Sequence, residues 1–528
     1  MSAADWYRQG VHHAERFRFE EASVALQRAI DEGAGADGLA TLSAVRGELG
    51  DIDGAQGALA RAVTLRPDDP SIALLDATLL PMVYRDAADL ERWRARYTDR
   101  LEAFARDIDR YRPNAARILG LARTNFLLAY QGRDDTELQR LYGKALSTLL
   151  REACPRYFEP RRGHGGSRLR VGFASAYFFD CTVGRYFASW IEGLDRERFE
   201  VVSFMTGAAG DAFTERLAAS CLAMERVNLP VLEIAGRIAA AQLDVLVYPE
   251  VGMDPRCRLL AGMRLAPVQL AAWGHPQTTG SPEIDGYLSC ESMEPPGAAA
   301  HYTEKLMLLP GIGVSYDAPE ITPSFTRKAL KIDAERRVYC CPHSVFKIHP
   351  DSDAMFADLL ERDPDGLLIF FQAQNAGQGP GQGVADRLVE AMRQRGLPPR
   401  GQVRLFPRLS PTDFRRALQA MDVVLDPPHW SGGNTALDAL GAALPVVTVP
   451  GALMRSRQAA AMLRELDAAE CIAEDTRSAA ALAEALARDT ERREALRARM
   501  AANRSGLFRD PRPVRRLEEI LGALATTP

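Results

Sequence analysis

The sequence lacks the patterns that assign a chain of this length to a membrane, secreted or zinc-dependent class. No apolar run in its 528 residues approaches the roughly 20 needed to cross a bilayer, and its start shows no basic-then-apolar signal pattern. The eight cysteines are scattered and none forms a C-x-x-C pair, so neither a zinc site nor a disulfide framework is predicted. Cys340 and Cys341 lie in an apolar run and are expected in a core. These absences favour a cytoplasmic protein with reduced thiols and no required metal.

The charge balance excludes one further class of partner. Lysine and arginine number 65 against 70 acidic residues, which gives a net charge of −5 and no global footprint for nucleic acid. The hydrophobic content of 47% is ordinary for a globular protein. The length is sufficient for about three domains with sizeable cores.

A repeat marks the N-terminal part of the chain. The pattern Phe19, Ala22, Leu26, Ala29 recurs 33 positions later as Ile52, Ala55, Leu59, Ala62. This offset is close to the tetratricopeptide period of about 34 residues, and the small residues allow paired helices to approach closely. We expect residues 1–155 to form one helical domain of such repeats. It is either a groove for a polypeptide or a packing module that supports a homo-oligomer.

After a Gly-rich linker at 161–167, short apolar runs alternate with helical patterns. This alternation predicts parallel sheets wrapped by helices, in two units at 168–320 and 335–528 joined by a connector at 310–324. Residues 513–524 form an amphipathic segment that we expect to cross back onto the first unit. The predicted fold class is α plus α/β, with two Rossmann-like units whose facing strand ends form a ligand cleft.

One strand-to-helix connection in the second unit carries the most specific signal. Residues 421–425 read as a buried strand, 436–444 as a helix, and Ser-Gly-Gly-Asn-Thr at 431–435 lies directly before that helix. Free backbone N–H groups at a helix start hold phosphate, and glycine lets the anion come close to the backbone. The rival interpretation is an ordinary connection capped by Asn434 or Thr435.

Two other segments of this unit are phosphate candidates. Lys347 follows the predicted strand that ends at Cys341, so we expect it at the same sheet edge as Gly432, where its charge would neutralise a diphosphate. Its alternative is a solvated surface lysine. The Gly-rich stretch 375–383 lacks the P-loop lysine and is read as a loop that need not touch ligand.

The first unit supplies candidate acid–base groups. His275 lies just past a predicted strand, in a polar Gly-His-Pro turn, and is either an acid–base group or a histidine that hydrogen-bonds the turn. Glu250 ends another strand, and Asp180 lies in the loop after the first strand. The pair His12 and His13 falls in the helical region and is assigned no role. No metalloprotease, hydrolase or kinase motif is present.

Together these segments resemble glycosyltransferase family 41, which holds the O-linked N-acetylglucosamine transferases and the bacterial adhesin N-glucosyltransferases. The resemblance rests on the tetratricopeptide-like start and on ordered motifs: Arg-Val-Gly-Phe-Ala-Ser at 170–175, Leu-Ala-Pro-Val-Gln at 265–269, Trp-Gly-His-Pro-Gln-Thr-Thr-Gly at 273–280, Ile-Asp at 284–285, Tyr-Thr-Glu-Lys-Leu at 302–306, Phe-Lys at 346–347, Gly-Asn-Thr at 433–435 with Asp438, and Pro-Val-Val-Thr-Val-Pro-Gly at 445–451.

The resemblance implies a GT-B fold, a UDP-sugar donor, inversion without a metal, and a polypeptide acceptor. Carried over by position, Lys347 matches the lysine that contacts the donor diphosphate. Asn434 and Thr435 match the residues at the helix start that bind the phosphates. Asp438 matches the acidic residue that binds the ribose. His275 matches a cleft histidine of the N-glucosyltransferases. The expected catalytic set is His275, Lys347 and Glu250, and the expected donor-binding set is Lys347, Ser431, Gly432, Gly433, Asn434, Thr435 and Asp438.

The sequence departs from the O-linked enzymes at two places. The loop at 180–185 lacks their histidine, and the segment 408–414 differs from their uridine-contacting segment. We therefore expect transfer of a hexose or N-acetylhexosamine to a protein side chain, with the sugar and the linkage open. The alternatives are a transferase or epimerase for a small glycan or lipid-linked sugar, and a non-catalytic repeat scaffold.

Overall fold

The computed structural model of this chain describes residues 1–208, 210–320, 323–372, 379–397 and 401–525. The first 153 residues are helical, and a 3₁₀ turn, Phe126–Gln131, precedes the last of these helices. The helices are α1 Ala3–Glu15, α2 Phe19–Asp31, α3 Gly35–Leu49, α4 Ile52–Leu65, α5 Pro70–Ala77, α6 Ala87–Arg106, α7 Ile108–Tyr111 and α8 Thr136–Ala153.

The helical repeat is present where the sequence places it. α1 packs on α2 and α3 on α4, so the two sequence units are two helical hairpins. Ala22 and Ala29 in α2, like Ala55 and Ala62 in α4, are fully buried, because their methyl groups are small enough for the paired backbones to approach.

Among the described residues, seven parallel strands form the first sheet, in the order β3-β2-β1-β4-β5-β6-β7. The strands are β1 Leu169–Ser175, β2 Phe199–Met205, β3 Ala223–Arg226, β4 Val245–Tyr248, β5 Val268–Ala272, β6 Gly286–Cys290 and β7 Lys305–Leu309. The helices between them are α9 Thr182–Glu192, α10 Ala212–Ala219, α11 Val231–Ala240 and α12 Pro255–Leu260. The central strand β4 is buried along its whole length, as expected for a sheet covered on both faces.

The second sheet has five parallel strands in the described part of the chain, ordered β10-β9-β8-β11-β12. The strands are β8 Val338–Cys341, β9 Leu367–Phe371, β10 Val403–Phe406, β11 Val423–Asp426 and β12 Val446–Thr448. The helices are α13 Ser352–Arg362, α14 Gly379–Gln394, α15 Pro411–Leu418, α16 Asn434–Gly441, α17 Gln458–Glu465, α18 Thr476–Arg488, α19 Thr490–Ala502, α20 Arg504–Leu507 and α21 Arg512–Ala525. Cys340 and Cys341 are core residues of β8, as predicted. The fold class is thus confirmed: a helical repeat region followed by two parallel α/β sheets.

A buried carboxylate joins the three parts of the molecule. Asp135, at the start of α8, accepts hydrogen bonds from Arg94 in α6 at 2.7 Å, from Gln277 after β5 at 3.1 Å and from Arg455 of the second unit at 2.9 Å. Both Asp135 and Arg455 are nearly inaccessible to solvent. Their pairing fixes the helical region against the mouth of the cleft between the two sheets.

The C-terminal helix crosses back onto the first unit, as predicted from its amphipathic pattern. α21 packs on β7 and α9, and Glu518 accepts a hydrogen bond from the backbone N–H of Asp195 at 2.8 Å. The two units are therefore tied together at a second place, away from the cleft.

Three expectations need separate comment. The helix expected at 436–444 spans Asn434–Gly441, because Ala443 has a left-handed backbone with φ of 53° and cannot continue the helix. Of the Gly-rich stretch 375–383, residues 375–378 lie outside the described residues. In the described residues, no helix is both long and apolar enough to cross a bilayer.

Candidate active site

The second sheet brings the two main phosphate candidates to one edge. β8 and β11 are adjacent and parallel, and the strand order reverses between them, so the loops after their carboxyl ends diverge and open a crevice. Lys347 lies in a 3₁₀ turn, Val345–Lys347, after β8. The Gly-Gly-Asn-Thr turn follows β11. Lys347 and Thr435 both line a cleft of about 820 Å³.

The turn after β11 is built around the buried carboxylate of Asp426, the last residue of that strand. Its oxygens accept hydrogen bonds from Ser431 Oγ at 2.7 Å, from the Gly432 N–H at 2.6 Å and from Thr448 Oγ1 at 2.6 Å. His343 Nε2 lies 3.0 Å from the same carboxylate. Asp426 therefore fixes the backbone that precedes α16.

This geometry corrects the expectation for Ser431. Its side chain is fully buried, and its hydroxyl both donates to Asp426 and accepts the backbone N–H of Ala459 at 2.8 Å. The Ser431 hydroxyl thus donates one hydrogen bond and accepts one inside the protein, and both bonds position the turn.

The start of α16 has no side-chain cap. Gly433 occupies the residue before the helix, and no side chain there accepts a hydrogen bond from the first turn. Asn434, one of the residues expected to cap it, instead accepts a hydrogen bond from Tyr316 OH at 3.1 Å. Among the described residues the first-turn N–H groups thus have no side-chain acceptor, which is the state in which a helix start binds an anion.

Another donor faces this turn. A Cβ placed on Gly433 would lie 3.0 Å from Tyr186 OH, so only glycine leaves space there. The Tyr186 hydroxyl comes from α9 of the first unit, is buried and has no hydrogen-bond partner in the described part of the chain. A donor without an acceptor, beside an uncapped helix start, is suited to an anionic group between the two units.

Lys347 is a partly buried cation surrounded by aromatic rings. Its Nζ lies 5.5 Å from the ring centroid of Trp430 and 6.0 Å from that of Phe346. Burial lowers the pKa of Lys347 to about 8, although the negative charge of Asp426 opposes the shift. Among the described residues its ammonium forms no ion pair. A diphosphate in the cleft would supply the missing counter-charge.

His275 lines the same cleft from the first unit. Its ring stacks on Phe126 of the helical region, with centroids 5.0 Å apart and an interplanar angle of 28°. Burial, helped by the positive charges of Arg455 and Lys347, lowers the pKa of His275 to about 3. The imidazole is therefore neutral near pH 7. In this state it is suited to hydrogen bonding and is too weakly basic to hold a proton from an acceptor.

Glu250, expected to face the cleft, does not line it. Its side chain is fully buried beneath the turn that carries Gly274, where an added Cβ would lie 2.8 Å from the Glu250 Cβ. Burial raises the pKa of Glu250 well above its usual value, and Asp254 adds to this. Glu250 follows β4 and therefore lies at the predicted edge of the sheet, but its side chain points into the protein interior and away from the cleft. Its carboxyl group accepts a hydrogen bond from the Met253 N–H at 3.3 Å and supports the loop.

Asp438 lies in a second cavity of about 490 Å³ next to the cleft. This cavity is also lined by Asp180, Arg185, Tyr316 and Arg415. Burial raises the pKa of Asp438 to about 6, while the two arginines oppose the shift, and its Oδ1 has no partner in the described residues. Asp180 forms an ion pair with Arg185. The structure thus separates Asp438 from the wall that Lys347 and Thr435 share, although one helix carries Asp438 and Thr435.

Comparison with known proteins shows that part of this chain is similar to one family. The model of "Glycosyl transferase family 41" matches residues 313–510, the part that contains Lys347 and the turn before α16. This part of the chain is similar to glycosyltransferase family 41. The matched part also includes the connector to the first unit and most of the helices around the second sheet.

The curated relatives of this chain are longer than the chain itself. A probable UDP-N-acetylglucosamine–peptide N-acetylglucosaminyltransferase, SEC from Arabidopsis thaliana, is 24% identical over 343 residues, which are 62% of this chain and 34% of the relative. A probable enzyme of the same description, SPINDLY from Solanum lycopersicum, is 26% identical over 294 residues, 54% of this chain and 31% of the relative. The chain thus spans about a third of the length of these relatives.

A solved structure matches this chain over nearly its whole length. It is an O-GlcNAc transferase mutant from Thermobaculum terrenum, with a TM-score of 0.74 at 23% identity, covering 99% of this chain and 98% of that one. This likeness supports the arrangement of a helical repeat region with two α/β units.

Sequence reasoning missed several groups at the candidate site. The clearest signal was Asp426, an acidic residue at the end of an apolar strand, where a buried carboxylate needs several donors. The aromatic wall had no sequence signal, because it forms only when four distant segments meet. Its members, besides Phe346, are Phe126, Tyr130, His275 and Trp430.

Proposed function

We propose that this chain is an inverting glycosyltransferase that moves a hexose or N-acetylhexosamine from UDP to a polypeptide side chain. The observation that carries the proposal is the pairing, in one cleft, of the Lys347 cation with an uncapped helix start at Gly433–Thr435. The names of its relatives contain UDP-N-acetylglucosamine and a peptide, and these are the donor and the kind of acceptor that we propose for this chain.

In this proposal the protein stabilises the leaving group. The acceptor oxygen or nitrogen attacks the anomeric carbon as the bond from that carbon to the UDP oxygen breaks, so the configuration inverts. Negative charge develops on the diphosphate, where Lys347, the α16 N–H groups and the Tyr186 hydroxyl are placed to offset it. No metal or other cofactor is part of this step, and the UDP-sugar is a substrate.

His275 would orient the acceptor. It is neutral, lies in the cleft wall opposite the second sheet and is packed against Phe126. A neutral imidazole accepts one hydrogen bond from an approaching hydroxyl or amide and fixes its direction of attack. The proton is then lost late, when the acceptor has become acidic through bond formation.

The acceptor would approach along the helical region. A mainly apolar cavity of about 470 Å³, lined by α3 and by Leu79, Met82 and Leu127, shares Phe126 and Phe346 with the donor cleft. A polypeptide lying in it would place a side chain near His275. The proposal includes a cytoplasmic location and allows self-association through the helical region.

The test measures UDP binding and sugar transfer separately. We expect UDP to bind the wild-type chain in calorimetry, and Lys347→Ala to lower turnover by ~10²-fold or more, since one electrostatic donor to the transition state is lost. Lys328→Ala, an exposed lysine outside the cleft, is the matched control. Turnover near wild type in Lys347→Ala would remove Lys347 from the mechanism.

The acceptor is tested by intact-mass analysis of host proteins incubated with UDP-N-acetylglucosamine or UDP-glucose. A mass increase of one sugar on a protein supports the proposal. Sugar appearing only in small molecules would instead favour a small-glycan enzyme. No UDP binding at all would favour a non-catalytic scaffold.

A further inference from the structure

A group of three metal-ligating side chains lies beside the donor cleft. His349, Asp351 and His429 each bring one ligand atom within 4.8 Å of the others. Asp351 Oδ2 lies 2.8 Å from His429 Nε2 and 3.4 Å from His349 Nδ1, so one carboxylate oxygen is close to both imidazoles. The two rings have centroids 4.3 Å apart. We call these three residues the His–Asp–His cluster.

The backbone holds the cluster in place from two loops. His349 and Asp351 follow Lys347 and precede α13. His429 precedes the turn at 431–435, which we call the donor turn. His429 has a φ of 72°, a conformation that a bulky residue rarely adopts. A Cβ on Gly132 of the helical region would lie 2.6 Å from its ring, so glycine at 132 leaves room for the imidazole.

The ring of His349 is buried without full hydrogen bonding. The residue is 5% exposed, and its Nε2 has no partner in the described part of the chain. Its Nδ1 accepts a single hydrogen bond, at 3.1 Å, from the backbone N–H of Asp351. An ion bound at His349 Nδ1 would replace the hydrogen bond from the Asp351 N–H. Asp351 is an exposed residue directly before α13, so water can accept from this N–H instead. Asp351 is half exposed, which leaves access for an ion and for water.

The donor types decide which ion fits. Two imidazoles and one carboxylate are the ligands of a three-residue zinc site with an open fourth position, whereas Mg²⁺ and Ca²⁺ prefer oxygen alone. Tetrahedral bonds of about 2.0–2.2 Å separate neighbouring ligand atoms by about 3.2–3.6 Å. The 3.4 Å between Asp351 Oδ2 and His349 Nδ1 already lies in this range. A small rotation of the exposed Asp351 side chain brings the 2.8 Å between Asp351 Oδ2 and His429 Nε2 into it.

We propose that His349, Asp351 and His429 bind one Zn²⁺ ion, with water completing the coordination. The ion would join the loop that carries Lys347 to the loop that carries Trp430 and the donor turn. It is a structural tie between two loops and takes no part in sugar transfer. The proposal does not depend on the proposed function, because any ligand of the cleft meets the same two loops.

The test is a titration of the chelator-treated full chain with ZnCl₂ near pH 7.5, without nucleotide. We expect one equivalent to bind, the melting temperature to rise because the ion binds the folded state, and amide exchange to slow at 342–351 and 427–433. Co²⁺ in place of Zn²⁺ should give visible absorption of a four- or five-coordinate site.

Two variants remove one ligand each with little change in fold. Asp351→Asn alters an exposed side chain, and His429→Asn keeps a residue that tolerates positive φ. Each should weaken Zn²⁺ binding by at least roughly tenfold and abolish the exchange protection. The control is the double variant His12→Gln with His13→Gln, which removes the adjacent histidines at the N-terminus and should keep the site.

Two outcomes would overturn the proposal. One is the absence of saturable Zn²⁺ binding to the wild-type chain. The other is binding that persists in both cluster variants and disappears in the His12/His13 control, which would place the ion on the N-terminal helix. Circular dichroism of each metal-free variant confirms that it is folded before titration.

Discussion

Substitution of Asp426 by asparagine should disrupt the donor turn more than any exposed change near it. The Asp426 carboxylate accepts three hydrogen bonds, two of them from Ser431 and Gly432 in the turn itself, and His343 is 3.0 Å away. Asparagine keeps one acceptor oxygen and turns an NH₂ group toward the remaining donors. The NH₂ group then faces either the Gly432 N–H or the Ser431 and Thr448 hydroxyls, so one or two buried donors lose their partner.

The expected magnitude follows from those bonds. Each buried donor left unsatisfied costs about 1–3 kcal/mol, so the loss of one or two partners should lower the stability of Asp426→Asn by about 1–6 kcal/mol. For a unit of 150–250 residues each kcal/mol corresponds to a fall in melting temperature of roughly 2–4 °C. Because the Gly432 backbone is no longer held, UDP affinity should fall in parallel.

The assay combines thermal unfolding with UDP calorimetry on the same samples. Thr448→Val is the matched control, since it removes one hydrogen bond to Asp426 on the β12 side, preserves volume, and should cost only about 1 kcal/mol with UDP affinity kept. If Asp426→Asn melts within 2 °C of wild type and binds UDP equally well, the carboxylate does not organise the turn and the reasoning is refuted.

Two other substitutions test the electrostatics around the site. Burial raises the pKa of Asp438 to about 6, above its value of about 3.9 in an unfolded chain, so stability should fall by about 1–3 kcal/mol as pH rises from 4 to 6. Asp438→Asn should lack this slope in urea unfolding at several pH values, and an identical slope in both proteins would contradict the shift. Asp135→Asn leaves Arg94 and Arg455 without their buried counter-charge and should cost about 3–5 kcal/mol in thermal or urea unfolding. A loss below 1 kcal/mol would show that the three parts are held together elsewhere.

Much of the fold could be predicted because its signals are periodic and local. The recurrence of small residues 33 positions apart indicated the helical hairpins, and alternation of apolar runs with helical patterns indicated two parallel sheets. Lys347 and the Gly-Gly-Asn-Thr turn were placed at one sheet edge because both directly follow strands of the same unit. Lys347 and this turn share one cleft because β8 and β11 are adjacent strands, and this adjacency depends on the strand order of the sheet.

The wrong or incomplete site predictions concern the direction of side chains. Glu250 follows a strand at the expected edge, yet its carboxyl turns inward. Ser431 lies in the donor turn, yet its hydroxyl is used by Asp426 and Ala459. Asp438 shares a helix with Thr435 but lines the neighbouring cavity. A strand end specifies an edge of the sheet, whereas χ angles and local packing decide what each side chain contacts.

The amino-acid sequence alone determined the order of the parts, the class of each, and the two segments suited to a diphosphate, because periodicity, glycine and a cation after a strand act over a few residues. The tertiary structure alone decided what surrounds those segments. It set Phe126 from the helical region against His275, placed Tyr186 of the first unit beside Gly433, and brought His349 to His429. Such contacts join residues between 80 and 250 positions apart, and only the packing of whole units fixes them.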